Sequence, residues 1–180
     1  MGELAPPAAE RAVVLMYHRV GAANNGREAR YCVAPERFSA HMRALRDAGM
    51  QPCTISEFVA WMQGRRTLAY GSFLLTFDDG FLGVYEHAAP VLAELDWPAT
   101  VFLVTALIGK RDVWRIAEDP VATTYPLLGR TEIEAMQRQG FSFHSHSRTH
   151  ADLSTLPDDL LREELAVSLL ENWGIGELEK

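Results

Sequence analysis

The stretch Ser-Phe-Leu-Leu-Thr-Phe-Asp-Asp-Gly at residues 72–80 decides the fold class. Its first six residues form a mostly apolar run, which is typical of a β-strand that is covered on both faces. Two aspartates follow directly, and Gly80 allows the backbone to turn sharply after them. Adjacent carboxylates at the end of a buried strand repel each other and lose hydration, so a bound cation would stabilise them. An ordinary Asp-Asp-Gly turn is the alternative interpretation.

Similar apolar runs recur on both sides of this stretch and alternate with helical patterns. The predicted strands are 12–17, 72–77, 99–104 and 141–144, with a weaker candidate at 51–55. The predicted helices are 35–49, 54–64, 84–95, 131–139 and 157–172. This alternation predicts an α/β fold with a parallel sheet. A complete eight-unit barrel takes about 250 residues, so the 180 residues of this chain predict either an open sheet or an incomplete barrel.

Several residues define where the predicted helices begin, bend or pack. Thr54 with Glu57, and Thr131 with Glu134, have the spacing of helix-capping pairs. Pro90 predicts a kink or a late start in the helix at 84–95. The last helix would pack one apolar side, made of Leu160, Leu161, Leu165 and Leu169. Residues 105–129 follow no regular pattern, which predicts a long loop with a functional role.

A second polar cluster follows the strand at 141–144. It reads His-Ser-His-Ser-Arg-Thr-His at residues 144–150 and contains three of the six histidines. His146 and His150 are four residues apart, a spacing that lets two imidazoles bind one metal ion. A solvated polar loop is the alternative interpretation.

The two polar clusters support each other, because parallel α/β folds place their sites at the ends of strands. One carboxylate and two imidazoles are a ligand set suited to zinc or another divalent metal. A second carboxylate beside them is placed to take a proton from a water molecule. The spacing therefore predicts metal-assisted hydrolysis.

Composition excludes several other classes of protein. The chain has 17 basic and 24 acidic residues and a net charge of −7, which argues against nonspecific nucleic-acid binding. Cys32 and Cys53 lack ligand spacing, so we expect both to be buried thiols in a reducing compartment. No segment resembles a signal peptide or the roughly 20 apolar residues of a transmembrane helix. We therefore expect a soluble, cytoplasmic protein, with residues 1–11 as a tail and residues 12–180 as one domain.

Residues 76–80 resemble the first motif of the polysaccharide deacetylases, the NodB-homology group or carbohydrate esterase family 4. Residues 145–150 are similar to the second motif, and residues 16–20 and 98–102 resemble strand sequences of the same family. The resemblance extends from about residue 12 to residue 172. It implies a deformed (β/α) barrel that removes acetyl groups from a polysaccharide, such as an N-acetylglucosamine-type glycan, by hydrolysing carbon–nitrogen bonds other than peptide bonds.

The resemblance also implies roles for individual residues. By position in the motifs, Asp78 is the catalytic base, and Asp79, His146 and His150 are the metal ligands. The metal would be zinc, with cobalt, nickel and manganese as alternatives, and the partner would be an acetylated polysaccharide or oligosaccharide. Trp114 is the best candidate for a sugar-stacking residue, although core or rim packing is the default interpretation of any tryptophan.

Three later motifs of the family have no counterpart after His150. We therefore expect the barrel to lack its C-terminal part. An alternative function follows from this departure. The chain would then be an inactive relative that binds metal or glycan, or it would need self-association or a partner chain to complete the barrel.

Overall fold

A computed structural model describes residues 11–26, 28–118 and 122–167. Its strands are β1 (Val13–Tyr17), β2 (Arg19–Val20), β3 (Cys32–Val33), β4 (Gln51–Cys53), β5 (Ser72–Phe77), β6 (Ala99–Leu103) and β7 (Phe141–Ser145). Its α-helices are α1 (Pro35–Asp47), α2 (Ile55–Met62), α3 (Ala89–Leu95), α4 (Trp114–Glu118), α5 (Arg130–Gln137) and α6 (Asp158–Arg162). π-Helical turns at Val84–Ala88 and Glu163–Val167 adjoin α3 and α6. The predicted alternation of strands and helices is confirmed.

The main sheet is parallel and is centred on β5. β1 pairs along one edge of β5, while β4 and β6 pair with the first and last parts of its other edge. β7 extends the sheet beyond β6, and β2 and β3 form a separate small sheet. This arrangement is the predicted deformed, incomplete (β/α) barrel. Because all the main strands are parallel, Tyr17, Phe77, Leu103 and Ser145 end at the same edge, and the two polar clusters follow there.

The hydrophobic core lies between the sheet and its crossover helices. Phe38 and Met42 of α1, and Ile133 and Met136 of α5, are buried against it. The strand β5 lies across its centre and buries every residue from Phe73 to Phe77. Fully burying one such large apolar side chain stabilises a fold by about 1.5–3 kcal/mol. Packing in this core therefore fixes the carboxyl edge of the sheet, where the two polar clusters meet.

The strand β1 differs from its prediction. The apolar run at 12–17 predicted a strand covered on both faces, but Val13, Val14 and Met16 are 51%, 47% and 59% exposed. Among the described residues β1 pairs with β5 alone, so it is an edge strand of the sheet. An apolar run indicates that a strand can be covered on both faces. Whether it is covered depends on the strands and helices that pack against it.

Of three predictions about how helices begin, two agree with the structure and one does not. The predicted capping pair at α2 is present, with the Glu57 backbone N–H donating to Thr54 Oγ1 at 3.2 Å. α5 is instead capped two residues earlier, because the Gly129 backbone N–H donates to Glu132 Oε2 at 2.9 Å. The proposed Thr131 cap is therefore wrong. The irregularity predicted at Pro90 takes the form of the π-helical turn that precedes it.

The last helical segment does not pack as predicted. Leu160 and Leu165 are each 46% exposed, and Glu164 is buried instead. Residues 168–172, including Leu169, lie outside the described residues. The leucine pattern predicted helical structure correctly for the described residues 158–167, but of the predicted leucines there only Leu161 is half-buried.

Cys53 is buried and Cys32 is half-buried, and both are free thiols. The prediction that both are buried therefore holds for Cys53 only.

In the described part of the chain, no helix has the length and apolar character needed to cross a membrane. The domain boundaries at residues 11 and 12 stay a prediction.

Candidate active site

Asp79 reaches the site through a sharp turn after β5. The Asp78 backbone N–H donates to the Tyr17 carbonyl at 2.9 Å, which extends the pairing with β1 by one residue. Asp79 and Gly80 then take positive φ angles of 72° and 74°. A Cβ at Gly80 would lie 2.6 Å from Leu103 Cδ2, so glycine allows the turn to lie against β6. Asp79 is buried there, with 6% of the residue exposed.

His146 and His150 lie on the loop that follows β7, not on a helix. The His146 backbone N–H donates to the Leu103 carbonyl at 2.7 Å, which ties the start of the loop to β6. Ser147 and His150 have positive φ angles of 63° and 65°. His146 Nε2 lies 3.5 Å from Asp79 Oδ1, and His150 Nε2 lies 3.2 Å from the same oxygen. The loop thus presents both imidazoles to one carboxylate.

The three side chains fit a divalent metal ion by donor type and spacing. One candidate ligand atom from each of Asp79, His146 and His150 lies within 4.8 Å of the other two. Nitrogen and oxygen ligands about 2.0–2.1 Å from a tetrahedral ion lie about 3.3–3.4 Å apart, close to the two distances to Asp79 Oδ1. That oxygen is buried and has no hydrogen-bond partner among the described residues. A buried carboxylate oxygen without a donor is strongly destabilising unless a cation compensates it.

Asp78 lies beside this group and is half-buried. Partial burial raises the pKa of Asp78 above its usual range, although the nearby imidazoles of His146 and His18 oppose the shift. A carboxylate with a raised pKa is a stronger proton acceptor in its ionised form. His18 also makes an edge contact with the Tyr31 ring, with ring centroids 5.3 Å apart.

Trp114 is also at the site, in a role that the sequence did not predict. It begins α4, inside the segment 105–129, and its indole stacks on the His150 imidazole. Phe81 lies on the same tryptophan, with ring centroids 6.3 Å apart. The structure therefore places Trp114 against a candidate ligand, while the sugar-stacking role stays a prediction.

A buried polar cluster holds the segment that contains Trp114. Glu28 is 4% exposed and lies 3.3 Å from Arg19 and 3.7 Å from Arg115. The Tyr125 hydroxyl donates to Glu28 Oε2 at 2.6 Å. Burial opposes ionisation of Glu28, but these hydrogen bonds and the two guanidinium groups outweigh it and lower its pKa. The cluster joins the chain after β1 to α4 itself, through Arg115, and to Tyr125 beyond it.

Sequence reasoning missed both Glu28 and a second buried glutamate, Glu164. Burial opposes ionisation of Glu164 as well, yet hydrogen bonds from Thr149 and from the Arg148 backbone lower its pKa. No spacing rule connects Glu28 with Tyr125, which is 97 residues further along the chain. Glu164 is likewise 15 residues from Thr149, so the sequence carried no short-range signal for either glutamate.

The fold and the site together define a (β/α)-barrel protein with a carboxylate–imidazole cluster at the carboxyl edge of its sheet. The family model for polysaccharide deacetylase matches residues 66–169, more than half of the chain. This protein belongs to the polysaccharide deacetylase family. The resemblance inferred from the two motifs is thus confirmed.

Individual relatives agree with this assignment. YxkH of Bacillus subtilis is 29% identical over 155 residues, which cover 86% of this chain and 49% of YxkH. The poly-β-1,6-N-acetyl-D-glucosamine N-deacetylase of Staphylococcus aureus strain MRSA252 is 24% identical, covering 79% of this chain and 50% of that enzyme. The chain therefore spans about half the length of the curated relatives that it matches.

Solved structures share the fold. IcaB from Ammonifex degensii has a TM-score of 0.75 and 23% identity, over 96% of this chain and 71% of IcaB. BC0361, a polysaccharide deacetylase from Bacillus cereus, has a TM-score of 0.69 and 28% identity, over 91% of this chain and 47% of that protein. The likeness to IcaB, at this identity, concerns the fold alone.

Proposed function

We propose that this protein is a metal-dependent hydrolase that removes acetyl groups from an N-acetylglucosamine-type polysaccharide. The proposal rests on one observation: Asp79 Oδ1 is buried and faces the Nε2 atoms of His146 and His150, with Asp78 beside it. Family membership supports acetyl removal from a polysaccharide as the reaction. The Staphylococcus aureus relative is named for poly-β-1,6-N-acetyl-D-glucosamine, which supports the class of glycan.

Asp79, His146 and His150 would hold the metal ion, for which zinc is the first candidate and cobalt, nickel and manganese are alternatives. When bound, a divalent cation supplies Lewis-acid polarisation of the acetyl carbonyl and lowers the pKa of a water molecule. The two imidazoles must be neutral at Nε2 to bind the ion. The buried carboxylate of Asp79 then provides the negative charge of the ligand set.

Asp78 acts as the general base in this proposal. Its carboxylate accepts a proton from the attacking water, whose oxygen forms a bond to the acetyl carbon. The amide nitrogen takes up the proton that Asp78 accepted, the bond between that nitrogen and the acetyl carbon breaks, and acetate and a free amine are released.

The test is acetate release from an N-acetylglucosamine oligomer by the purified chain, with and without zinc. The matched variant is Asp78→Asn, whose zinc affinity is measured in parallel. We expect zinc-dependent turnover that falls by about 100-fold or more in the variant, with zinc binding retained. Full activity of Asp78→Asn would show that another group is the base.

A second candidate function is binding of metal or glycan without turnover, or activity only when another chain covers the open barrel. The exposed Val13, Val14 and Met16 on β1 favour it, because an apolar edge strand readily pairs with another chain. Stoichiometric zinc binding without acetate release would support the inactive form. Sedimentation of the isolated chain as a dimer, with turnover that depends on protein concentration, would support self-association.

A further inference from the structure

We propose that Glu164 is a positioning residue of the candidate metal site: its carboxylate holds the loop between His146 and His150 so that both imidazoles point at Asp79. This inference rests on the proposed metal binding and extends it to a residue outside the ligand set. Glu164 lies in the π-helical turn that follows α6, and it is 7% exposed.

The Glu164 carboxylate accepts three hydrogen bonds from two consecutive loop residues. The backbone N–H groups of Arg148 and Thr149 donate to Oε2 at 3.0 and 2.8 Å. The Thr149 hydroxyl donates to Oε1 at 2.6 Å. Hydrogen bonds to an ionised acceptor are shorter and stronger than those between neutral groups. Both acceptor oxygens of this buried carboxylate are thus engaged by the loop.

The loop needs such support because its backbone is unusual. Ser147 and His150 both have positive φ angles, which residues with a Cβ atom rarely adopt. The carbonyl side of the loop is held from the segment after β6, where Thr105 and Ala106 donate to the carbonyls of Ser147 and Arg148 at 3.2 and 3.0 Å. Glu164 holds the amide side. The four-residue spacing of the two histidines is therefore fixed between two anchors.

The exposure of the last helical segment supports this role. Leu160 and Leu165 remain 46% exposed, while Glu164 between them in the same segment is buried. Apolar packing alone would turn the leucines inward. The hydrogen bonds of Glu164 to the loop give a physical reason for the opposite orientation.

The variant Glu164→Gln replaces one of the two acceptor oxygens by an N–H₂ group and removes the negative charge, with little change in size. That N–H₂ group either faces the two backbone donors or requires the Thr149 hydroxyl to accept instead of donate. Glu163→Gln is the matched control, because it makes the same charge change at the adjacent residue. Glu163 is exposed, and its carboxylate lies 3.4 Å from the Arg148 guanidinium.

The experiment measures zinc affinity of the full chain by competition with a chromophoric chelator, at a temperature where each metal-free variant is fully folded. We expect Glu164→Gln to bind zinc about 10- to 100-fold more weakly than the unmodified chain, as is typical when a partner outside the ligand set is lost. Glu163→Gln should stay within about 2-fold, because exposed ion pairs contribute little. Equal zinc affinity of Glu164→Gln and the unmodified chain would overturn the proposal.

Thermal melting of the metal-free proteins distinguishes positioning from general stability. A purely structural role would lower the melting temperature of Glu164→Gln and leave its zinc affinity unchanged, which also overturns the proposal. If Glu164→Gln does not fold, the zinc affinity of Thr149→Val tests the proposal instead. This variant removes only the hydroxyl that donates to Glu164 Oε1. A weaker zinc affinity of Thr149→Val supports the proposal, and an unchanged affinity contradicts it.

Acetate release is measured separately on the same samples. Tight zinc binding without turnover would contradict the proposed hydrolase function, whereas the affinity comparison would still decide the role of Glu164. Acetate release by the unmodified chain, together with equal zinc affinities of that chain and Glu164→Gln, would support the hydrolase function and contradict the role of Glu164.

Discussion

The indole of Trp114 lies face to face with the imidazole of His150, with ring centroids 4.6 Å apart and an interplanar angle of 21°. This contact joins the irregular segment before α5 to the loop that follows β7. Because Glu28 and its partners hold that segment in place, the position of His150 depends on three parts of the chain. The candidate site is therefore supported from outside its own two motifs.

The Trp114 stack predicts an effect on zinc affinity. Aromatic pairs of this kind are worth about 0.5–1.5 kcal/mol beyond simple burial. Trp114→Ala should therefore weaken zinc binding by about 2- to 10-fold, as measured by chelator competition. Trp114→Phe retains an aromatic face and should keep most of the affinity. If alanine binds zinc as tightly as tryptophan does, the stack has no part in holding His150.

Asp79 is the residue on which the metal site most depends. Loss of a partner outside the ligand set weakens metal binding by about 10- to 100-fold, so loss of a direct carboxylate ligand in Asp79→Asn should exceed that range. Asp96→Asn is the matched control, since Asp96 is exposed and also has a positive φ, 54° against 72° for Asp79. Calorimetric titration with zinc measures both. A zinc affinity of Asp79→Asn equal to that of the control would remove Asp79 from the ligand set.

Glu28 predicts a pH-dependent contribution to stability. Its pKa in the folded chain is lowered, so the ionised carboxylate stabilises the fold above the ordinary value of 4.5, and this stabilisation is lost as the pH falls through the folded pKa. Glu28→Gln should lower the free energy of unfolding by about 1–3 kcal/mol at neutral pH. The difference from the unmodified chain should shrink below pH 4.5.

Urea unfolding at several pH values measures this difference. The control is Glu134→Gln, because Glu134 is an exposed residue of α5. Its effect should stay within about 0.5 kcal/mol at every pH. A penalty for Glu28→Gln that is constant with pH would show that the charge of Glu28 does not stabilise the fold.

The contact between Gly83 and β2 predicts that only glycine fits at this position. A Cβ at this position would lie 2.2 Å from the Val20 carbonyl oxygen, which belongs to β2. Gly83→Ala should therefore destabilise the chain by about 1–3 kcal/mol, as overpacking does. A Cβ at Gly26 meets nothing within 4 Å, so Gly26→Ala should change stability by less than about 0.5 kcal/mol. Thermal unfolding compares the two variants. Equal stabilities of Gly83→Ala and Gly26→Ala would contradict the close approach of β2 to the start of the π-helical turn at Val84–Ala88.

Much of the fold was predictable because its signals are local. The apolar run of β5, the capping pair Thr54 and Glu57, and the turn at Gly80 each depend on residues within a few positions of one another. The two motifs were also local, and the parallel arrangement of the strands indicated that they would meet at one edge. The apolar runs and the leucine pattern predicted strands and helices without deciding which side chains would be buried.

Local sequence signals were enough to predict the class of fold, the edge at which the site lies and the residues that meet there: Asp78, Asp79, His146 and His150. The contacts that support these residues became visible only in the folded chain. Glu28 reaches Tyr125 across 97 residues, Glu164 reaches Thr149 across 15, and Trp114 reaches His150 from another segment. These contacts form between segments that the chain brings together only on folding, so no periodicity or short spacing encodes them. The same reason explains β1, whose apolar residues are exposed because burial depends on neighbouring strands and not on the run itself.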